Sequence, residues 1–530
     1  MMKKPIAVVD LFSGPGGLGE GFSACVGADH QSRYKIHVSI EKDRSAHRTL
    51  LLRAFLRQFR GGLPPEYHAC LNGDIPMPDW AALYPAAWSA AEDEARCLEL
   101  GKPETDTFLA GRIREIRDRH DEMTVLIGGP PCQAYSIAGR SRNAGKKGYD
   151  PATDHKNFLY EQYVKVVGML RPAAFVMENV KGMLSSSVGG TQIFKKVLSD
   201  LQDAAGPDSY RLVALSPPNV VDLGEEPKPA EFLVRAEEHG VPQARHRVII
   251  VGLRSDIARA VPPEFMPRLK RHSPQVTVKE VIGHLGGLRS GLSTADSLSA
   301  WETAVAGACS DVDRGTSRLP AATRRKFLTE LNSVRVGLLA GTGLGRSGSS
   351  GCSVSSSCHP SLRNWIVDPA LRRLPNHETR SHMEKDLGRY LFAAVMGKVA
   401  GESPRAEDFP PILAPNHANW ESGKFRDRFR VQIAGKPSTT ITSHIAKDGH
   451  YFIHPDPHQC RSLTVREAAR LQTFPDNYLF MGNRTEQYTQ VGNAVPPFLA
   501  HQIAESLWQV FEYLAASDDQ EEEPEIASVA

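Results

Sequence analysis

The sequence predicts an α/β fold, a doubly wound and mostly parallel sheet accompanied by a second, smaller domain. Three observations carry this expectation. Short apolar runs rich in β-branched residues occur at 6–12, 36–40, 124–127, 173–177 and 248–253. Such near-continuous runs suit strands buried on both faces of a parallel sheet. Helix-like stretches at 45–60 and 158–170 separate several of them, and alternating strands and helices build a doubly wound sheet. From about residue 290 the alternation stops, and 530 residues exceed what one core usually organises.

Taken in chain order, residues 1–289 read as the larger domain. Within it, 79–121 carries helical patterns at 87–100 and 107–119 and reads as an inserted helical arm. Residues 290–440 read as the smaller domain. It holds the Gly/Ser-rich stretch 341–357 and the recurring bases Arg324, Arg325, Lys326, Arg372, Arg373 and Arg380. Residues 441–515 return to the first domain through helices at 465–471 and 497–514. The end, 516–530, reads as a disordered tail with six acids (Asp518, Asp519, Glu521, Glu522, Glu523 and Glu525). The formal charge is +2, so the chain without that tail stands near +8, which suits a polyanionic partner.

No apolar run reaches the ~18–20 residues that span a bilayer. The start, Met1-Met2-Lys3-Lys4-Pro5, lacks the apolar core of a signal peptide. A soluble cytoplasmic protein is therefore expected. The eight cysteines include no CxxC pair, and Cys352, Cys358 and His359 have no second pair to complete a zinc site. No metal is expected, and the thiols should be reduced.

In an open parallel sheet, ligands bind beyond the carboxyl ends of the strands. After the first run comes Asp10-Leu11-Phe12-Ser13-Gly14-Pro15-Gly16-Gly17-Leu18-Gly19, in which Gly14, Gly16 and Gly19 fit GxGxxG. Such a turn lets backbone approach a phosphate or an uncharged nucleoside, although any tight strand–helix turn can look similar. Glu41 follows the second run, 24 residues beyond Gly17, where an acid can accept ribose hydroxyls. Asn72-Gly73-Asp74-Ile75 supplies a further polar turn. After the third run stands Gly128-Gly129-Pro130-Pro131-Cys132-Gln133, which places a cysteine on a loop at the ligand edge, a nucleophile candidate. Glu178-Asn179-Val180 closes the fourth run; a carboxyl at the end of an apolar strand is partly desolvated, which favours proton donation. Before the fifth run, Gln243-Ala244-Arg245-His246-Arg247 places two arginines on one face by alternation, suited to an anion or a carbonyl.

Together these blocks resemble the C5-cytosine-specific DNA methyltransferases. The resemblance rests on DLFSGPGG (10–17), Glu41, NGDI (72–75), GGPPCQ (128–133), ENV (178–180), QARHR (243–247), SLTVREAARLQTFPD (462–476) and QVGNAVPP (490–497), in family order and across nearly the whole chain. It implies a class I, Rossmann-like catalytic domain using S-adenosylmethionine and releasing S-adenosylhomocysteine, with a target-recognition domain for duplex DNA. It implies Cys132 as the nucleophile at C6 of a flipped cytosine, Glu178 as donor to N3, and Arg247, with Arg245 beside it, at O2. Asp10, Phe12, Ser13, Gly14, Gly16, Gly17, Glu41, Asp74, Ile75, Pro131, Asn493 and Val495 would hold the cofactor. Gln133, Ser136, Arg140, Arg142, Lys146 and Lys147 would contact DNA from a loop that closes over it.

A bacterial-type chain of this kind implies protection of host DNA, with other proteins of a restriction or defence system as possible partners, and a monomer acting away from membranes. A tRNA cytosine methyltransferase would share the Cys and Glu chemistry, but the long segment between QARHR and the helix at 465 argues for duplex reading. A nicotinamide-dependent oxidoreductase would have no use for PPCQ paired with ENV. A non-catalytic DNA-binding relative would be expected to lose Cys132 or Glu178, and both are present.

Overall fold

The computed structural model describes residues 4–27, 29–59, 61–120, 122–131, 159–185, 187–188, 191–216, 227–348, 353–416, 420 and 428–521. Its centre is an eight-stranded sheet. The strands are β1 (Ile6–Leu11), β2 (Tyr34–Glu41), β3 (Ala95–Cys97), β4 (Thr124–Gly128), β5 (Ala174–Val180), β6 (Tyr210–Val213), β7 (Leu233–Arg235) and β9 (His246–Arg254), in the order β3-β2-β1-β4-β5-β9-β6, with β7 also on β9. The pairs from β3 through β5 are parallel, and β9 runs antiparallel to β5, β6 and β7. This is the mostly parallel, doubly wound sheet that the apolar runs predict. All five runs are strands. Sequence reasoning misses β3, β6 and β7, which have three or four residues each and no continuous apolar run.

Alternation explains the two layers. Ile6 and Val8 of β1 enter one core, while Ala7, Val9 and Leu11 enter the other. The first core is covered by α1 (Gly17–Ser23) and the long C-terminal helix Pro497–Glu521. The second is covered by the helices Pro103–His120, Leu159–Leu170 and Ile193–Gln202. Each fully buried Val or Ile of such strands stabilises by about 1.5–3 kcal/mol. α2 (Arg44–Leu56) starts at Asp43, whose carboxylate accepts from the backbone N–H of Ser45 and Ala46.

Two expectations about organisation are corrected. Residues 79–121 are not an arm. Ala95–Cys97 adds the sheet's third strand beside β2, and Leu109, Ile113 and Ile116 of the helix Pro103–His120 bury against the sheet. The charged residues between those apolar positions disguise a sheet-covering helix as a solvated one. Nor does 290–440 share one core. The helices Leu298–Gly315, Ala321–Leu339 and Glu384–Ala400 pack together with Phe429, Val431, Ile453 and Cys460. Val354, Cys358, Leu362, Ile366 and Leu374 pack instead with residues of 276–285 and 441–498.

That third core centres on the helix Val465–Leu471, every residue of which is buried. Its charges are satisfied internally. Arg461 binds Glu467 through both carboxylate oxygens, Arg470 binds Asp476, and Arg466 donates to the carbonyls of Pro375 and Pro475. Among the described residues, no helix is long and apolar enough to cross a membrane.

Candidate active site

The candidate site lies at the carboxyl ends of β1, β2, β4 and β5. Phe12 and Ser13 follow β1 directly. Phe12 takes a left-handed backbone conformation (φ 56°), uncommon for an L side chain and tolerated where surroundings enforce it. Gly14 and Gly16 follow with φ of 57° and 101°, and Gly16 caps α1. The turn is tied to β2 twice. Ser13 N–H donates to the Ile40 carbonyl at 3.1 Å, and Gly14 N–H donates to Glu41 Oε2 at 2.8 Å. Glu41 Oε1 accepts from Asp43 N–H at 2.7 Å. Burial raises the Glu41 pKa, opposed by these backbone donors.

Behind the turn, Asp10 is fully buried, and neither carboxyl oxygen has a partner among the described residues. Burial pushes its pKa up to about 8, which Ser13 offsets only in part, so it holds a proton at neutral pH. On the far side, the Val495 carbonyl packs against Gly17 so closely that a Cβ there would stand 2.3 Å from it. Asn493 is exposed at the end of the helix Arg484–Asn493. Space above Gly14 is open: a Cβ on that residue would meet no described atom within 4 Å. A glycine cradle, a ribose-competent carboxylate and an unpartnered buried carboxyl fit S-adenosylmethionine.

Glu178 ends the apolar part of β5 and Arg247 is the second residue of β9. The antiparallel register sets Arg247 opposite Val180 and Ile249 opposite Glu178. Arg247 Nε meets Glu178 Oε1 at 2.9 Å, both side chains mostly buried. The carboxyl expected at the end of this apolar strand is therefore half of an ion pair. Asn179 Nδ2 donates to the Pro130 carbonyl at 3.1 Å, and Gly129 lies against Glu178. The diproline turn is thus held beside the Glu178–Arg247 pair. Pro131 is exposed at its end. Cys132, Gln133, Ser136, Arg140, Arg142, Lys146 and Lys147 lie outside the described residues.

Three expected site residues, Arg245, Asp74 and Ile75, stand in settings that the sequence reading does not foresee. Arg245 differs from Arg247 in its partners. It falls at the break between the short strand β8 (Gln243–Ala244) and β9, is fully buried, and donates to the carbonyls of Ile441 and Ala494, each at 2.9 Å. It is a strut between three chain segments. Asp74 and Ile75 do not follow a strand of the sheet. They follow the helix Pro65–Asn72, with Gly73 as its left-handed cap, and Asp74 pairs with Arg372. The turn beyond the third strand is instead the stretch after Cys97, where Leu98 N–H donates to the Glu41 carbonyl at 3.1 Å.

Residues that sequence reasoning leaves out also meet here. Ser438–Thr439 pairs with β8, and Thr440 Oγ1 donates to the Ala244 carbonyl at 2.6 Å. Gln243 binds the Gln472 side chain and the Leu471 carbonyl. Gln243 stands inside the QARHR block and could have been found there, whereas Thr440 carries no periodic signal.

The profile of the C-5 cytosine-specific DNA methylase family matches residues 103–297 and 370–509, more than half of the chain. The chain belongs to that family. A type II methyltransferase, M.Bpa9945I, from Bacillus paralicheniformis is 31% identical over 519 residues, covering 95% of this chain and 98% of its own. Type II methyltransferase M1.HphI from Haemophilus parahaemolyticus is 27% identical, covering 73% and 69% respectively. DNA (cytosine-5-)-methyltransferase M.ApeKI from Aeropyrum pernix is 29% identical, covering 73% and 81%. The methyltransferase is thus a class I enzyme of Rossmann-like fold that uses S-adenosylmethionine and acts on DNA. Among its described residues, no cluster of three or more His, Cys, Asp or Glu could hold a metal.

Proposed function

We propose that this enzyme methylates C5 of a flipped cytosine through a covalent bond from Cys132 to C6, with Glu178 and Arg247 stabilising the attacked ring. The observation that carries the reading is the Glu178–Arg247 pair at 2.9 Å, held beside the diproline turn that leads into Cys132. C5 of an aromatic cytosine is a poor nucleophile. Attack of a thiolate at C6 breaks the aromaticity and makes C5 enamine-like. Free thiols have a pKa of ~8.5, so a cationic neighbourhood helps. Negative charge then develops on the ring. Glu178 in its protonated form donates to N3 and Arg247 contacts O2, interactions that strengthen as the charge grows.

Bound over the glycine turn, S-adenosylmethionine supplies an electrophilic methyl group on a sulfonium sulfur. Phe12, Ser13, Gly14, Gly16 and Gly17 would hold its amino-acid part and one adenine face, and Glu41 would hold the ribose. Asp10 would offer a neutral carboxyl behind the turn, and Pro131, Asn493 and Val495 would complete the pocket. Transfer of the C5 proton to water and departure of Cys132 as the thiolate restore the ring.

Extruding the base costs a few kcal/mol. Gln133, Ser136, Arg140, Arg142, Lys146 and Lys147 follow the nucleophile directly and suit phosphate contacts. The relatives' designation as type II methyltransferases supports a protective role beside a restriction nuclease. Trapping with a 5-fluorocytosine duplex tests the covalent step. Wild type should form a denaturation-stable adduct on its recognition site, and Cys132→Ser should not. An adduct formed equally well by Cys132→Ser would refute the assignment. Bisulfite sequencing of DNA from expressing cells identifies the target.

A further inference from the structure

The glycine turn is gripped by a residue far away in sequence, and we infer that Tyr478 is a positioning residue for the cofactor turn. The inference rests on the reading that residues 12–17 hold S-adenosylmethionine. The Tyr478 hydroxyl donates to the backbone carbonyl of Pro15, in the middle of that turn. It reaches the turn because residue 16 has no side chain. A Cβ on Gly16 would stand 3.1 Å from the Tyr478 oxygen and 3.1 Å from Leu50.

The ring itself is fixed. It is fully buried, it stacks under the Arg53 guanidinium at 4.5 Å from its centroid, and it packs against Phe474 and Phe480. Burial keeps the phenol's pKa far above its ordinary value, so it remains a neutral donor across the working range. Arg53 is held in turn by both carboxylate oxygens of Glu20 on α1, the helix that the turn begins. Arg53 also reaches the Asn477 carbonyl, next to Tyr478. One connected unit therefore holds the turn upstream at the Pro15 carbonyl and downstream through α1.

The order of contact argues for positioning beyond space-filling. Packing alone needs only the ring, and a phenylalanine would supply it. The hydroxyl's partner is the carbonyl of the turn whose N–H groups and curvature shape the cradle. Two positive-φ glycines leave that turn few intrinsic restraints of its own, so an external hydrogen bond fixes which backbone arrangement is populated. A turn free to relax would bind its ligand only in the fraction of molecules that are correctly arranged.

Tyr478→Phe in the full-length enzyme isolates the hydroxyl. Calorimetric titration with S-adenosylhomocysteine should show a dissociation constant raised roughly 3–10-fold, the weight of one buried hydrogen bond. The KM for S-adenosylmethionine should rise by the same factor, while kcat at saturation and the KM for DNA stay close to wild type and the melting temperature falls by no more than about 2–4 °C. Glu41→Gln serves as the control on the underlying reading. An unchanged affinity in Tyr478→Phe beside a weakened Glu41→Gln would overturn the positioning role alone. Unchanged affinity in both would overturn the cofactor reading of the turn and the inference with it. Equal losses in cofactor affinity, DNA affinity and melting temperature in Tyr478→Phe would make the residue merely structural and also overturn the inference.

Discussion

Replacing Arg245 by methionine separates structural from chemical roles within the QARHR segment. The Arg245 guanidinium gives two bonds of 2.9 Å to the carbonyls of Ile441 and Ala494. A hydrogen bond involving a charged group contributes about 1.5–3 kcal/mol. Against this stand its burial and the neighbouring Arg247, which together push its pKa well below the ordinary arginine range, and an Nε without a partner among the described residues. Relieving that orphaned donor returns about 1–3 kcal/mol. The Ala494 carbonyl also keeps a donor in Gln472, whereas the Ile441 carbonyl loses the Arg245 bond. The net loss should be about 2–3 kcal/mol, since methionine retains the packing of the aliphatic stem. At about 2–4 °C per kcal/mol in a domain of 150–250 residues, melting should fall by roughly 5–10 °C.

The assay pairs calorimetric melting with methyl transfer measured well below the melting point. Arg245→Met should melt early yet retain most of its turnover per folded molecule. Arg247→Met, which strips Glu178 of its partner, should lose at least ~100-fold in kcat, the scale of a lost charge-stabilising group, with a smaller melting shift. Wild-type melting in Arg245→Met combined with a turnover loss equal to that of Arg247→Met would refute the structural assignment.

Glu178→Gln should lower kcat by about 100-fold or more with little change in S-adenosylhomocysteine affinity; a rate within threefold of wild type would remove Glu178 from proton donation. Gly17→Ala places a methyl 2.3 Å from the Val495 carbonyl and should cost about 1–3 kcal/mol in stability by overpacking, together with weaker cofactor binding, and an unshifted melting curve would contradict the close approach. Acidification should destabilise the fold between pH 6.5 and 4. Burial lowers the pKa of His377 and His454 to about 4, while the unfolded chain takes protons near pH 6.5. Stability is therefore full above about pH 6.5 and falls as pH drops toward 4, by about 1.4 kcal/mol per pH unit for each histidine; a melting temperature that is flat across this window would argue against neutral burial.

The parts of the fold that are legible in the sequence are those where chemistry and periodicity agree. β1 is apolar at nearly every position because both faces are covered, and its end is marked by glycines that only a tight turn requires. Glu178 and Arg247 are readable because each sits at the end of an apolar strand. What stays hidden follows from physical causes. β3 has three residues, Ala95–Cys97, and a charged helix after it, so neither shows the usual apolar signature. The helix Val465–Leu471 carries two arginines and a glutamate and would pass for a solvated face, yet all of it is buried because each charge finds a partner inside. The carbonyl partners of Arg245 are hidden from strict alternation, which assumes a continuous strand, because the strand breaks at that residue. Tyr478 lies within no periodic pattern, and its partner Pro15 is 463 residues away, a relation that no local pattern encodes.

The C-terminal helix Pro497–Glu521 lies over the N-terminal strand–turn–helix. Tyr34 donates its hydroxyl proton to the Ala504 carbonyl, and Gly21 abuts Ala500. During synthesis, this strand and turn must therefore wait for a helix whose contact residue comes 470 positions later before their apolar face is sealed. Premature termination anywhere before that helix yields a polypeptide with an open flank, a target for chaperones and proteases rather than a partly active modifier of the genome.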